Sequence, residues 1–203
     1  MLFQESYLRN LASQKLRNDS RYYSYSTEDS LRKSLLLESY DEFSIGKRNF
    51  DIFLSHSYSD KELILGIKTA LENFKYSVYI DWIQDSSMDR ANVTKDNALW
   101  IKERMKASKC LLYATSSNSS SSKWMPWELG FMDGFKDKVS IFPVSKGYET
   151  SYKGNEYLGI YPYIGRAPMS GTNQEYLWVN DQENENIYSE FSTWLNGGKL
   201  TAH

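Results

Sequence analysis

The feature that most constrains the fold is an alternation of short apolar runs with helix-like periodicity, which begins at Phe50. The runs have the length and composition of buried strands, and they are FDIFL (50–54), YSVYID (76–81), KCLLYAT (109–115) and VSIFPV (139–144). Residues 145–181 show no clear period, although residues 157–164 could hold a fifth strand. Because strands that alternate with helices are typical of a parallel sheet, we predict a three-layer α/β fold in which helices flank a central parallel sheet of about five strands.

Local signals place the helices between and after these strands. Ser59 to Glu62 has the spacing of a capping box, which predicts a helix start directly after the first strand. Pro126 fits the first turn of a third helix, and the Asn-Gly-Gly at 196–198 fits the end of a last one. The positions that recur at helical spacing are Leu63, Ile67, Ala70, Leu71 and Phe74 in the first helix, Ala98, Ile101, Met105 and Ser108 in the second, and Ile187, Phe191, Trp194 and Leu195 in the last.

Two further helical patterns precede Phe50. They are formed by Leu8, Leu11, Ala12 and Leu16, and by Leu31, Leu35, Leu36, Tyr40 and Phe43. A polar stretch rich in tyrosine and serine, residues 18–29, separates them, so the first helix could pack on the domain, pair with another chain or stay mobile. We assign residues 1–48 to an N-terminal helical extension and residues 49–203 to the main domain.

Composition argues against several function classes. A formal net charge of −2 over 203 residues gives no general attraction to nucleic acid or anionic lipid, so neither is expected as a partner. No apolar run approaches the roughly 20 residues that span a bilayer, and no signal-peptide pattern opens the chain, which predicts a cytoplasmic protein. Cys110 is the single cysteine, and His56 and His203 are the only histidines, which argues against hydrolase triads and histidine-rich metal sites.

Three loops follow the carboxyl ends of the first three predicted strands, at the edge where open α/β sheets bind ligands. The first, SHSYS at 55–59, combines short hydroxyl side chains with a helix N-terminus, so it suits a phosphate or pyrophosphate, or it simply caps the helix. The second begins at Asp81 and Trp82 and runs to Asn97, and its charged residues could contact a ligand or a neighbouring subunit, or could be solvated. The sequence contains no glycine-rich dinucleotide fingerprint and no Walker motif.

The third loop leads into WMPWELG at 124–130 and is the most informative. Trp124, Trp127 and Glu128 place two large rings and one carboxylate at the entry of a helix. One interpretation is structural, because the helix dipole favours a glutamate there and the tryptophans could belong to the core. The other is chemical, because the same dipole helps to keep Glu128 ionised beside a pocket lined by rings.

An ionised carboxylate suits the loss of nicotinamide from NAD+. That reaction leaves a ribosyl cation, which a nearby anion stabilises, and a carboxylate can also hold the ribose hydroxyls. Glycosidases use two carboxylates for related cations. Here the leaving group is already a cationic pyridinium, so Glu128 alone could suffice. We expect no metal and no cofactor, since NAD+ would be the substrate.

Three blocks resemble the Toll/interleukin receptor (TIR) domain. FDIFLSHSYSD (50–60) is similar to its opening strand and loop, VYIDW (78–82) to its second strand, and SSKWMPWELG (121–130) to the segment of enzymatic bacterial and plant TIR domains that carries the catalytic glutamate. The order and spacing of the blocks are preserved over about residues 50–195. The resemblance implies a flavodoxin-like TIR fold, with Glu128 as the catalytic residue.

The resemblance also implies an activity and a substrate site. Family members hydrolyse NAD+ to ADP-ribose and nicotinamide or make cyclic ADP-ribose isomers, and bacterial examples serve antiphage defence, as in Thoeris systems. The substrate contacts that we expect are Trp124 and Trp127 on the nicotinamide side, Ser55, His56 and Tyr58 on the phosphate side, and Asp81 and Trp82 from the second loop.

The same resemblance implies assembly. The segment 82–97, which begins with Trp82 and ends with Asn97, would complete the active site of an adjacent protomer, so we expect self-association through this loop. The sequence carries no large sensor domain, and activation would come from self-assembly or from a separate effector or sensor protein. The alternatives are a non-catalytic TIR adaptor, a protein that interferes with host signalling, and an enzyme similar to nucleoside ribosyltransferases; Glu128 beside two tryptophans argues against the adaptor.

Overall fold

The structure is a computed structural model that describes residues 1–18, 49–80 and 95–203. Within these residues, strands and helices alternate from β2 to β5 as the sequence predicts. The strands are β1 (Phe3–Gln4), β2 (Phe50–Ser55), β3 (Val78–Ile80), β4 (Ser108–Thr115), β5 (Val139–Ser145), β6 (Tyr163–Pro168), β7 (Glu175–Asn180), β8 (Ile187–Glu190) and β9 (Thr201–Ala202). The helices are α1 (Glu5–Asn18), α2 (Lys61–Asn73), α3 (Lys95–Lys106), α4 (Trp124–Lys136) and α5 (Phe191–Leu195), and short 3₁₀ turns cover Tyr58–Asp60, Ser119–Ser121 and Glu156–Ile160.

Five neighbouring strands of the described sheet run parallel, in the order β3-β2-β4-β5-β6. This confirms the predicted parallel sheet, and it brings the loops after β2 and β4 together at one edge. Beyond β6 the sheet continues antiparallel through β7, β8 and β9, which the sequence did not predict. β1 joins the sheet at the end of β5, with Phe3 beside Val144.

Side chains that alternate along the strands divide the core into two layers. Ile52 and Leu54 of β2 belong to a largely aliphatic cluster with residues of α1, α2 and α5. Phe53, between them, belongs to a second cluster with residues of α3 and α4. Successive side chains of a strand point to opposite faces, so each strand supplies both clusters. The predicted arrangement of a sheet between two layers of helices is confirmed.

Helix α1 packs against α2. Of the three placements that the sequence left open, the first helix therefore adopts the one in which it packs on the domain. Leu8 is fully buried in this contact. Gly66 permits the close approach, since a Cβ atom there would lie 2.1 Å from the carbonyl oxygen of Leu8. Arg9 forms an ion pair with Glu62 across the two helices. The second predicted N-terminal helix and the domain boundary at residue 48 lie outside the described residues.

The helix predicted after the first strand is confirmed, but the capping box predicted at its start is wrong. Helix α2 begins at Lys61, after the 3₁₀ turn Tyr58–Asp60, and its N-cap residue Asp60 makes no side-chain cap hydrogen bond. The carboxylate of Asp60 has other partners, which lie in the loop after β4.

The last predicted helix is wrong in its first half. Ile187–Glu190 is the strand β8, and only Phe191–Leu195 is helical. Antiparallel pairing with β7 outweighs the helical spacing of the apolar residues here. The helix does end at the predicted place, where Gly197 adopts a φ of 101° that favours glycine.

Three smaller boundaries also differ from the prediction. Strand β6 begins at Tyr163, because a 3₁₀ turn covers Glu156–Ile160. Helix α3 begins at Lys95, so the second loop ends earlier than Asn97, and Ser108 opens β4 rather than ending the helix. In the described part of the chain, no helix has the length and apolar character that a membrane span requires.

Candidate active site

Glu128 lies in the second turn of α4, above the carboxyl ends of β2 and β4, and not in the first turn, where the helix dipole was expected to favour it. Its side chain is buried, with 5% of the residue surface exposed, and its Oε2 accepts a hydrogen bond of 2.6 Å from the hydroxyl of Ser55. Ser122 supports the start of this helix, because its hydroxyl oxygen accepts from the main-chain N–H of Met125 at 3.3 Å. Pro126 follows in the first turn, where a helix needs no N–H partner, as predicted.

Ser55 reaches Glu128 because of its place in the sheet. It is the last residue of β2, and strand alternation puts it on the same face as Phe53, beneath α4. In the register of β2 and β4 it is paired with Tyr113, which points to the same layer. The hydroxyl of Ser55, the ring of Tyr113 and the carboxylate of Glu128 therefore converge at the ligand edge of the sheet.

Tyr113 belongs to this group, although sequence reasoning treated it only as part of a strand. Burial raises the pKa of Tyr113, and the nearby hydroxyl of Tyr157 and the negative charge of Glu128 raise it further. Its hydroxyl therefore stays protonated at neutral pH. Tyr157 comes from the 3₁₀ turn after β5, more than forty positions away along the chain, so no local pattern could have paired the two rings.

His56 is buried beside this group and is oriented by the main chain. Its Nδ1 lies 2.8 Å from the carbonyl oxygen of Leu54, and since a carbonyl can only accept, Nδ1 carries the proton. The main chain of Tyr58 forms the following 3₁₀ turn, while its side chain lies outside the described part. Asp81 and Trp82 also lie outside the described residues.

The two tryptophans of α4 have different surroundings. Trp124 lies one helical turn before Glu128. It is 9% exposed and packs in the second core cluster, which also contains Phe53. Its buried Nε1 donates to no acceptor in the described structure. Trp127 is 39% exposed and meets Trp124 edge to face, with ring centroids 5.5 Å apart. It also stacks with Phe131 at 6.2 Å, as the first ring of an exposed aromatic row on α4.

Asp60 joins the loop after β2 to the loop after β4. It is 7% exposed, and its carboxylate accepts hydrogen bonds from the hydroxyl of Ser116 and from the side-chain amide of Asn118, the latter at 2.6 Å. Sequence reasoning missed this contact, because it treated Asp60 as part of a cap and residues 116–122 as a serine-rich stretch.

A separate cavity of about 530 Å³ lies near the amino end of β3. The C-terminal end of α2, the strand β7 and the start of α5 line it, and it contains none of the predicted site residues. Within the described ranges, no three His, Cys, Asp or Glu side chains group in a way that could hold a metal ion.

Comparisons with known proteins identify the family of this chain. The TIR domain family matches residues 52–164. Over 195 residues, which are 96% of this chain and 97% of the other protein, the sequence is 42% identical to "Probable 3' cyclic ADP-D-ribose synthase ThsB'" from Bacillus cereus (strain MSX-D12). It is 34% identical over 86 residues to "Putative cyclic ADP-D-ribose synthase TIR2" from Cytobacillus dafuensis, a match that covers 42% of this chain and 23% of that protein. The family match and the relative that is similar over nearly the whole chain show that this chain belongs to the TIR-domain family, and the fold is the one that the resemblance implied.

Proposed function

We propose that this TIR domain cleaves the bond between nicotinamide and ribose in NAD+ and closes the remaining ADP-ribose into a cyclic isomer. The observation that carries the proposal is the buried carboxylate of Glu128, which the hydroxyl of Ser55 holds at 2.6 Å at the ligand edge of the sheet. The names of both relatives describe the synthesis of cyclic ADP-D-ribose.

The cleavage step needs one anion and no cofactor. When the bond between C1 of the ribose and the pyridinium nitrogen breaks, its electron pair goes to the nitrogen and neutral nicotinamide leaves. The positive charge that develops on the ribose is stabilised by Glu128 in a site with little water, where an electrostatic contact is stronger than in bulk solvent. The hydroxyl of Ser55 orients the carboxylate, and the buried N–H of Trp124 supplies a donor near the departing group.

The closing step joins the cation to a hydroxyl of the same molecule. A lone pair of that hydroxyl forms the new bond to C1, and Glu128 takes the proton that is released. Burial favours this outcome over hydrolysis, because Glu128 and Ser55 are 5% and 1% exposed and leave little access for competing water. The name of the Bacillus cereus relative describes a 3' cyclic product, so we propose that the 3' hydroxyl of the adenosine ribose is the nucleophile.

The other predicted contacts complete the proposal. His56 and Tyr58 lie on the phosphate side, beside the amides before α2. Asp81, Trp82 and the loop that they open act across a contact between protomers, so activity depends on self-association. The reaction takes place in the cytoplasm as part of antiphage defence, and a separate effector or sensor protein controls the enzyme or reads its product.

Nicotinamide release from NAD+, followed by chromatography over a series of protein concentrations, tests this function. Glu128→Gln keeps the shape and the acceptor for Ser55 but removes the charge, and it should lower the rate by about 10²- to 10³-fold. Glu103→Gln, on an exposed glutamate of α3, is the matched control and should retain the wild-type rate.

Two outcomes would contradict the proposal. Equal nicotinamide release by the wild type and Glu128→Gln would show that the carboxylate is not catalytic. Wild-type protein that releases no nicotinamide at any concentration would favour the adaptor. The adenine-containing product separates hydrolysis from cyclisation, since only the cyclic isomer lacks a free anomeric hydroxyl.

A further inference from the structure

Two acidic residues are buried in the described ranges, Glu128 and Asp60, and the proposed reaction has no use for the carboxylate of Asp60. Asp60 occupies the N-cap position of α2, where aspartate usually accepts from main-chain N–H groups of the first turn. It makes no such bond, and its two oxygens point instead to Ser116 and Asn118 in the loop after β4. A buried carboxylate requires hydrogen-bond partners, and here the neighbouring loop supplies them.

From Asp60, hydrogen bonds continue through the serine-rich loop to α4. The oxygen of the Ser116 hydroxyl accepts from the main-chain N–H of Asn118 at 3.2 Å, and the carbonyl oxygen of Ser116 accepts from the hydroxyl of Ser119 at 2.9 Å. The hydroxyl of Ser121 donates to the carbonyl oxygen of Asn118 at 2.7 Å. Ser122 then meets the first turn of α4 through Met125. The serines therefore form a continuous series of turns between Asp60 and the helix that carries Trp124 and Glu128.

On its other side, Asp60 belongs to the loop that follows Ser55. Its main-chain N–H donates to the carbonyl oxygen of Ser57 at 3.2 Å, which closes the turn after β2. The same residue thus joins the loop that follows Ser55 to the loop that precedes the helix of Glu128. If its carboxylate is removed, the hydrogen bonds from Ser116 and Asn118 that join the two loops are lost.

We infer that Asp60 is a positioning residue of the active site. It holds the start of α4 close to the loop after β2, and so it keeps Glu128 and Trp124 in place beside Ser55. The inference rests on the proposed function, because its consequence concerns the fate of the ribosyl cation. A site that is held tightly keeps the cation beside the internal hydroxyl, and a site that is loosened admits water. Asp60 therefore raises the rate of cleavage and also the cyclic fraction of the product.

Asp60→Ala tests this in the full-length chain with NAD+ as the substrate. We expect kcat to fall by about tenfold or more while KM changes less, since small misplacements of reacting groups cost rate. We also expect the ratio of cyclic product to ADP-ribose to fall at least about twofold. This ratio does not depend on how much of the protein is folded, so a simple loss of stability cannot change it. Asp60→Asn, which keeps one acceptor oxygen, should be intermediate.

The matched control is Asp51→Ala at the opposite end of β2, where the carboxylate also accepts from a serine but contacts neither loop of the site. It should lower the melting temperature and leave the product ratio unchanged. Asn118→Ala removes the partner instead of the acid, so it applies the same test if Asp60→Ala does not fold, and it should shift the ratio in the same direction.

The outcomes distinguish this inference from the proposed function. If the wild type releases no nicotinamide, the proposed function fails. If the wild type is active and Asp60→Asn and Asn118→Ala keep its kcat and its product ratio, Asp60 has no positioning role and the inference is overturned. An equal shift of the ratio in Asp51→Ala would overturn it too, because the effect would then follow from general loosening of the sheet.

Discussion

The two ends of β2 carry the same three kinds of side chain in different surroundings. At the amino end, Asp51 accepts hydrogen bonds of 2.9 and 2.8 Å from the N–H and the hydroxyl of Ser77, and Tyr76 lies close by. At the carboxyl end, Glu128 accepts from Ser55 at 2.6 Å, close to Tyr113. Each end thus combines a carboxylate, a serine and a tyrosine.

The difference lies in what each carboxylate connects. Asp51 ties the start of β2 to the residue before β3, and it also pairs with Lys109, whose side chain is half exposed. These partners lie directly before β3 and in β4, the two strands that flank β2. Glu128 connects a strand to a helix at the edge where parallel sheets bind ligands, and its surroundings exclude water. The same kinds of group therefore join neighbouring strands at one end of β2, and at the other end they join the strand to a helix in the site proposed for catalysis.

The largest effect is expected from the pair of serines. Ser55→Ala removes a hydrogen bond to a charged acceptor, and such bonds are worth about 1.5–3 kcal/mol, so kcat should fall by about 10- to 100-fold. Ser77→Ala should instead lower the free energy of unfolding by about 1–3 kcal/mol and leave kcat within about twofold of the wild type. Steady-state NAD+ turnover and denaturant unfolding measure the two quantities. If Ser77→Ala lost as much turnover as Ser55→Ala, the proposed difference between the two ends of β2 would be contradicted.

A smaller effect is expected from the pair of tyrosines. Tyr113→Phe removes a hydroxyl that lies near Tyr157 and Glu128, and the loss of a neutral polar contact worth about 0.5–1.5 kcal/mol predicts a fall of about two- to tenfold in kcat. Burial and the charges of Glu190 and Asp51 raise the pKa of Tyr76 to about 12, so Tyr76→Phe removes only a neutral hydroxyl at pH 7. It should leave turnover unchanged. Turnover assays on both variants, normalised to folded protein by circular dichroism, would contradict the assignment if Tyr113→Phe were fully active.

The smallest effect concerns acid stability at the amino end. Burial alone would raise the pKa of Asp51, but hydrogen bonds from Ser77 and the charge of Lys109 outweigh it and hold the pKa below its ordinary value. A carboxyl with a lowered folded pKa contributes stability above its unfolded pKa of about 3.9, and this stability is lost as the pH falls through the folded value. The free energy of unfolding of the wild type should therefore exceed that of Asp51→Asn at pH 7, and the difference should shrink below about pH 4. An unchanged difference at pH 3 would show that the charge of Asp51 is not its source.

Much of the fold was predictable because its signals are local. The strands from Phe50 to Ser145 and the start of α4 follow from apolar runs and from Pro126, and the structure confirms them. Ile187 and the residues after it have helical spacing, yet they form a strand because β7 offers them a pairing partner. Spacing along one segment does not say which distant strand will be its neighbour, so β7, β8 and β9 were missed.

The candidate site likewise combines one residue that the local sequence indicates with long-range contacts that it does not. Glu128 could be named from a short segment, since its charge, the adjacent tryptophans and the helix entry are all visible in sequence. The hydrogen bond from Ser55 spans 73 positions, and the bonds from Ser116 and Asn118 to Asp60 span 56 and 58. The order of strands and helices from Phe50 to Ser145, the family and the candidate carboxylate could therefore all be read from the sequence. Only the tertiary structure decided which side chains hold that carboxylate in place, because the parallel sheet brings together loops that the chain keeps far apart.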